Sequence, residues 1–104
     1  MLILARKNGE SIRINNTVRL TLQSHNEQQV KVLLESPKGK AILVRPVGKK
    51  LFSEGGVHIS TTRSHQGMLR FAFRAPSHIT IWREEIWLKM HQEEHKARKN
   101  KEVA

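Results

Sequence analysis

The chain has 104 residues, enough for one domain, and its 19 Lys and Arg stand against nine acidic residues, all of them Glu. The formal net charge of +10 points to a polyanionic partner, nucleic acid before an anionic membrane surface. Without cysteine there is no disulfide framework, thiolate metal site or cysteine nucleophile, and no apolar run approaches the roughly 18 residues that cross a bilayer.

In chain order, residues 2–7 are apolar and then basic, and they end at the turn signal Asn8-Gly9. Positive charge follows this apolar start instead of preceding it, so the segment reads as a strand and not as a signal peptide. Ser11-Ile12-Arg13-Ile14 alternates up to Asn15-Asn16, and Val18-Arg19-Leu20-Thr21-Leu22 alternates again. The polar stretch from Ser24 to Gln29 reads as a hairpin loop, and Val30 to Leu34 as a strand closed by Ser36-Pro37, since proline lacks a ladder donor. Ala41 to Arg45 is a fifth strand, Leu51-Phe52 a weak sixth before Gly55-Gly56, and Val57 to Thr62 and Met68 to Phe73 are two more. Ile79 to Arg83, after Ala75-Pro76, is the last. Many short, evenly spaced strands predict an antiparallel, mainly β fold.

From Glu84 onward there is no Gly or Pro, and good helix formers dominate. Ile86 and Met90 share one helical stripe, flanked by Trp87 and Leu88. Glu84 and Glu85 suit the positive end of the helix dipole. Residues 1–95 are therefore read as one β-rich domain with a C-terminal helix, and 96–104 as a flexible basic tail.

Two stretches carry a family resemblance. Met1-Leu2-Ile3-Leu4-Ala5-Arg6-Lys7-Asn8-Gly9-Glu10 resembles the opening of carbon storage regulators. Ala75-Pro76 followed by Ile79-Thr80-Ile81-Trp82-Arg83-Glu84-Glu85-Ile86 resembles their last strand and helix entry. Members of that family run to about sixty residues, so some forty lie between the matching ends here. Those extra residues resemble a second copy. Displaced by 39 positions, Ile3-Leu4 meets Ile42-Leu43, Arg6 meets Arg45, Gly9 meets Gly48, Val18 meets Val57 and Pro37 meets Pro76. Residues 1–39 then form a first copy of four strands, and 40–86 a second with five strands and the helix. Alternatively, the middle is an inserted hairpin and two whole chains pair.

The resemblance implies an intertwined homodimer or, with two copies in one chain, an intramolecular pseudo-dimer. It also implies a site in which the first and last strands lie side by side. Carried over by position, RNA binding falls on Leu4, Arg6 and Lys7 from the first strand and Ile81 and Arg83 from the last. A degenerate second site falls near Leu43 and Arg45, where Pro46 replaces the expected basic residue. Leu2, Leu4 and Arg6 share one strand face, and Ile79, Ile81 and Arg83 another. Apolar groups would pack on unstacked bases, and guanidinium groups would meet phosphate or guanine. Leu4 and Ile81 would equally suit a core, and Arg6 and Arg83 a solvated surface; Trp82, on the opposite face from Arg83, suits a core or interface. The implied ligand is a GGA-containing hairpin loop in messenger 5′ untranslated regions, or in small regulatory RNAs. The implied function is translational control in the cytoplasm, with neither DNA nor membrane as partner. A family member that pairs with a related regulator or another protein without touching RNA is the alternative.

Enzyme chemistry finds little support. His91-Gln92-Glu93-Glu94-His95 has the form of an inverted zinc-protease helix, but a polar helix running into a basic tail supplies neither a third ligand nor a closed pocket. No catalytic residue, metal site or cofactor is assigned.

Overall fold

A computed structural model describes residues 1–91, apart from the side chains of residues 63–65. Nine strands follow one another: β1 (Leu2–Arg6), β2 (Ser11–Ile14), β3 (Val18–His25), β4 (Gln29–Ser36), β5 (Gly39–Pro46), β6 (Lys50–Glu54), β7 (Val57–His65), β8 (Met68–Arg74) and β9 (Ile81–Arg83). A helix, α1, begins at Glu84 and is described as far as His91. All nine predicted strands are present, several with longer bounds: β4, β5 and β7 run beyond the predicted spans. β3 runs on to His25, so the loop predicted at 24–29 shrinks to Asn26-Glu27-Gln28, held by the Asn26 side chain accepting from the amides of Gln28 and Gln29. The weak sixth strand is a full five residues. The last begins at Ile81, because the Ile79 amide bonds back to the Pro76 carbonyl in a turn.

The strands form two antiparallel sheets. One has the order β1-β8-β7-β6, the other β5-β4-β3-β2-β9. Each sheet contains three consecutive strands from one half of the chain and a first strand lent by the other half. β1 lies on β8 with Leu2 opposite Phe73, Leu4 opposite Phe71 and Arg6 opposite Leu69. β5 lies on β4 with Ala41 opposite Leu34, Leu43 opposite Val32 and Arg45 opposite Val30. The two registers superpose residue for residue at a displacement of 39.

Directly paired residues share a sheet face, so the register dictates the core. Ile12, Ile14, Leu20, Leu22, Val30 and Val32 face inward from one sheet, and Leu51, Ile59, Leu69, Phe71 and Phe73 from the other. Phe71 and Phe73 stack with ring centroids 6.5 Å apart. Gly9 and Gly48, also 39 apart, both turn the chain at positive φ (89° and 86°), a region where a Cβ is strained. The halves differ at the next hairpin. Gly55-Gly56 is one residue shorter than Asn15-Asn16-Thr17, and β6 absorbs the difference in a bulge at Leu51, whose side chain stays buried.

Because Phe71 is buried between the two sheets, Phe71→Ala is expected to destabilise the protein by about 3–5 kcal/mol, read from chemical denaturation.

Candidate nucleic-acid interface

The resemblance implies that the first and last strands lie side by side; β1 and β9 are not hydrogen-bonded to each other. β1 pairs with β8 and β9 with β2, so the two are edge strands of different sheets. The first strand is committed to the opposite half, and this places it across a rim from the last strand. A hollow of about 330 Å³ lies along the rim, lined by Met1 and Leu2 from the β1 side, Ile79 and Ile81 from the β9 side, and the Arg74-Ala75-Pro76-Ser77 corner.

The sequence-predicted residues separate by environment. Leu4 and Ile81 are half-buried and pack against the core. Lys7, just past β1, and Arg83, at the end of β9, are exposed. Arg6 is 4% exposed. It lies on the inward face with Leu2 and Leu4, where a guanidinium needs acceptors. Its Nη1 donates to Glu85 Oε1 at 2.7 Å and its Nη2 to Oε2 at 3.1 Å, while its Nε donates to the Ala5 carbonyl. Arg6 therefore anchors the start of α1 to the end of β1, and its own charge is largely occupied. Arg83 approaches the same carboxylate: the Glu85 carboxyl is held below the usual carboxylate range, chiefly by the Arg6 hydrogen bonds, with burial opposing and the Arg83 charge adding a smaller pull. Of the two arginines only Arg6 bonds Glu85, and Arg83, 77 positions away in sequence, acts on it only through its charge.

A second clasp holds the other side of the helix start. Arg13 Nε donates to Glu84 Oε2 at 2.8 Å, Nη2 to Oε1 at 3.0 Å, and the guanidinium lies 4.0 Å from the Trp87 ring centroid. Trp87 Nε1 donates to Asn16 Oδ1 at 3.0 Å, and His91 stacks on the Trp87 ring. The face of α1 turned to the sheet is thus Trp87 and His91, while Ile86, Leu88 and Met90, read from sequence as the packing stripe and its flank, are exposed. Trp82 lies opposite Arg13 on the outer face, half-buried. Glu84 and Glu85, expected to serve the helix dipole, are also the acceptors for Arg13 and Arg6. Sequence inspection missed these pairs because their partners lie 71 and 79 residues away.

At the other rim the pattern is not repeated. Leu43 packs half-buried as Leu4 does, but Arg45 is exposed and, among the described residues, donates to the adjacent Val44 carbonyl alone. The first half has neither a strand equivalent to β9 nor a Glu-Glu helix start to receive it. Of the motif at 91–95, only His91 is among the described residues, and the basic tail at 96–104 lies outside them. Among the described residues no group of His and Glu could hold a metal ion, and no helix is long and apolar enough to cross a membrane.

An interleaved pair of β-sheets, with a cation-bearing apolar rim and a helix clasped to it by arginines, defines a small basic β-protein whose sheets are completed by exchanged strands. Residues 1–51 match the family model of CsrA, described as a global regulator protein family. The translational regulator CsrA of Clostridium acetobutylicum is 35% identical over 54 residues, covering 52% of this chain and 74% of that protein. No solved structure matches. The chain belongs to the CsrA family.

The lowered Glu85 carboxyl gives a sign for acid stability. A group with a depressed folded pKa contributes stability above its unfolded value and loses it as pH falls through the folded value. The Glu85 contribution should therefore be full above about pH 5 and be lost progressively below about pH 4. Glu85→Gln should flatten part of that decline and cost about 1–3 kcal/mol at neutral pH, since it leaves the buried guanidinium short of acceptors. Denaturant titrations of both proteins across pH 3–7 check this.

Proposed function

We propose that this chain is an RNA-binding post-transcriptional regulator. It takes a single-stranded, GGA-containing loop of a messenger 5′ untranslated region, or of a small regulatory RNA, onto the rim between β1 and β9. Occupation of a ribosome-binding sequence there represses translation in the cytoplasm. The family membership, the regulator from Clostridium acetobutylicum and the +10 charge support this reading. The observation that carries it is the rim itself, where a hollow of mixed apolar and polar lining meets a corner of backbone groups and the exposed Arg74.

Roles within the site follow from exposure. Ile81 lines the hollow, and Leu4, half-buried farther along β1, is assigned with it to apolar contact with unstacked bases. Arg83 and Lys7 reach phosphate or the acceptor edge of guanine. Arg6 is a positioning residue, because its bonds to Glu85 fix how the two strands face each other. Arg74 and the backbone of residues 75–77 border the hollow and present further donors and acceptors.

The proposal includes tandem family units in one chain, residues 1–39 and 40–86, that complete each other as an intramolecular pseudo-dimer. The matched β1·β8 and β5·β4 registers support it. With only one β9, the chain has one complete rim, and the one beside Leu43 and Arg45 is degenerate.

A GGA hairpin should therefore titrate to one strong site per chain, and scrambling the loop should abolish specific binding in a gel shift at fixed salt. Arg83→Ala should cost about 1–3 kcal/mol of RNA binding with little change in folding stability, whereas Arg45→Ala should leave binding nearly unchanged. Equal binding of scrambled and GGA loops would instead leave a protein-interaction role for the chain. Two equal, independent sites would sink the single-rim reading.

A further inference from the structure

The sheets are unequal: one has five strands, the other four. In the five-stranded sheet β9 covers the outer edge of β2, with Ile81 opposite Ile14 and Arg83 opposite Ile12. In the four-stranded sheet the corresponding strand is β6, which pairs with β7 alone and leaves its other edge uncovered among the described residues. Beside that edge lies a hollow of about 340 Å³ whose apolar lining includes Ile14, Val18, Leu34, Phe52, Val57 and Ile79. Its far wall is Ser36-Pro37-Lys38. Leu34, Ser36, Pro37 and Lys38 stand 39 positions before Phe73, Ala75, Pro76 and Ser77, which border the hollow beside β9. The cleft therefore lies where the first half would hold a strand like β9, had the chain not turned at Pro37-Lys38 directly into β5.

We propose that the free edge of β6 and this cleft form a docking site for one extended segment of a partner protein. The segment adds as a fifth strand, antiparallel to β6. Main-chain hydrogen bonds to an exposed edge supply affinity, and alternate side chains supply selectivity. The bulge lies at the Leu51 end, leaving Phe52 to Glu54 regular for pairing.

The cleft specifies the segment's chemistry. Opposite β7, Phe52 meets Ile59 and Glu54 meets Val57, so both face the cleft side of the sheet, as Ile12 and Ile14 do in the other. A guest strand set as β9 is would place one side chain across from Glu54 and the next but one across from Phe52. A third, two residues earlier, would enter the apolar hollow as Ile79 does. The fitting pattern is apolar, any, basic, any, apolar. Among the described residues Glu54 pairs with Lys38 Nζ alone, loosely and in solvent at 3.8 Å, so it can exchange that contact for a guest cation. The chain's own last strand does not match, because Ile-Thr-Ile-Trp-Arg would set isoleucine against Glu54, and that strand is already engaged on β2. RNA is disfavoured, because a carboxylate borders the cleft and its lining is mainly apolar.

The test uses the full chain and two labelled peptides, Ser-Ile-Thr-Arg-Thr-Val-Ser and the same peptide with Glu in place of Arg. Backbone amide shifts are followed by NMR and affinity by fluorescence polarisation. The Arg peptide is expected to shift Phe52, Ser53 and Glu54 and to bind roughly threefold to fivefold more tightly than the Glu peptide, as one cross-strand charge pair allows. Glu54→Lys, at an exposed position, should reverse that preference with the spectrum otherwise preserved. Failure of both peptides to bind, shifts confined to β1, β9 or β5, or a GGA hairpin moving Phe52 and Glu54 instead would overturn the proposal.

Discussion

Leu4 packs against a sheet whose other strands begin 46 residues later, and Leu43 packs against one that precedes it. This exchange of first strands is the constraint on which the molecule depends. Without β1, the second half would expose the β8 edge and the inward faces of Phe71 and Phe73 beside it. Without β5, the first half would expose β4. Neither half is a closed unit, so the core residues of both must form together. Contacts of this kind span most of the chain, and the entropy of closing such loops is repaid only once both sheets are present.

The same exchange explains why two arginines in equivalent places behave differently. Arg6 and Arg45 occupy matched registers, opposite Leu69 and Val30. A guanidinium facing the inside of a sandwich must find acceptors or turn outward. Arg6 finds Glu85 because β9 and the helix start are carried to that rim by β2. Arg45 has no such structure beside it and stays in solvent. One missing strand thus decides whether an arginine acts as an anchor or as a surface charge. The lower symmetry of the charges follows from topology, with the strand residues themselves unchanged.

Much of the fold was legible because the alternation of apolar residues is a local signal, and Gly, Asn and Pro marked nearly every turn. The boundaries of β3 and β6 were less so, since Gln23-Ser24-His25 and Lys50 carry no apolar alternation and are strands only because β4 and β7 pair with them. The strand inventory said nothing of which edge meets which; that β1 and β9 lie side by side came from the resemblance, and they do so as edges of different sheets across a rim. The helix stripe misled for a related reason. Ile86 and Met90 form the more hydrophobic line, but the sheet beneath offers Arg13 and Asn16, and Trp87 is the side chain able both to stack on a guanidinium and to donate a hydrogen bond.

Charge is divided unevenly between the outer faces, and this bears on the proposed RNA site. On the five-stranded sheet Arg13 is bonded to Glu84 and Arg19 to Glu35, whose carboxyl is lowered first by that hydrogen bond. Lys40 leans on the same Glu35 at 3.6 Å. Across the four-stranded sheet, Arg70 and Arg74 are exposed, and no described carboxylate pairs with them. Arg74 borders the rim hollow itself. At physiological ionic strength a fixed charge is felt over about 8 Å, so only cations close to the rim add to local attraction there. Arg74 meets that condition because it lines the hollow, whereas the neutralised arginines Arg13 and Arg19 of the other face contribute mainly to holding the helix and strands in place.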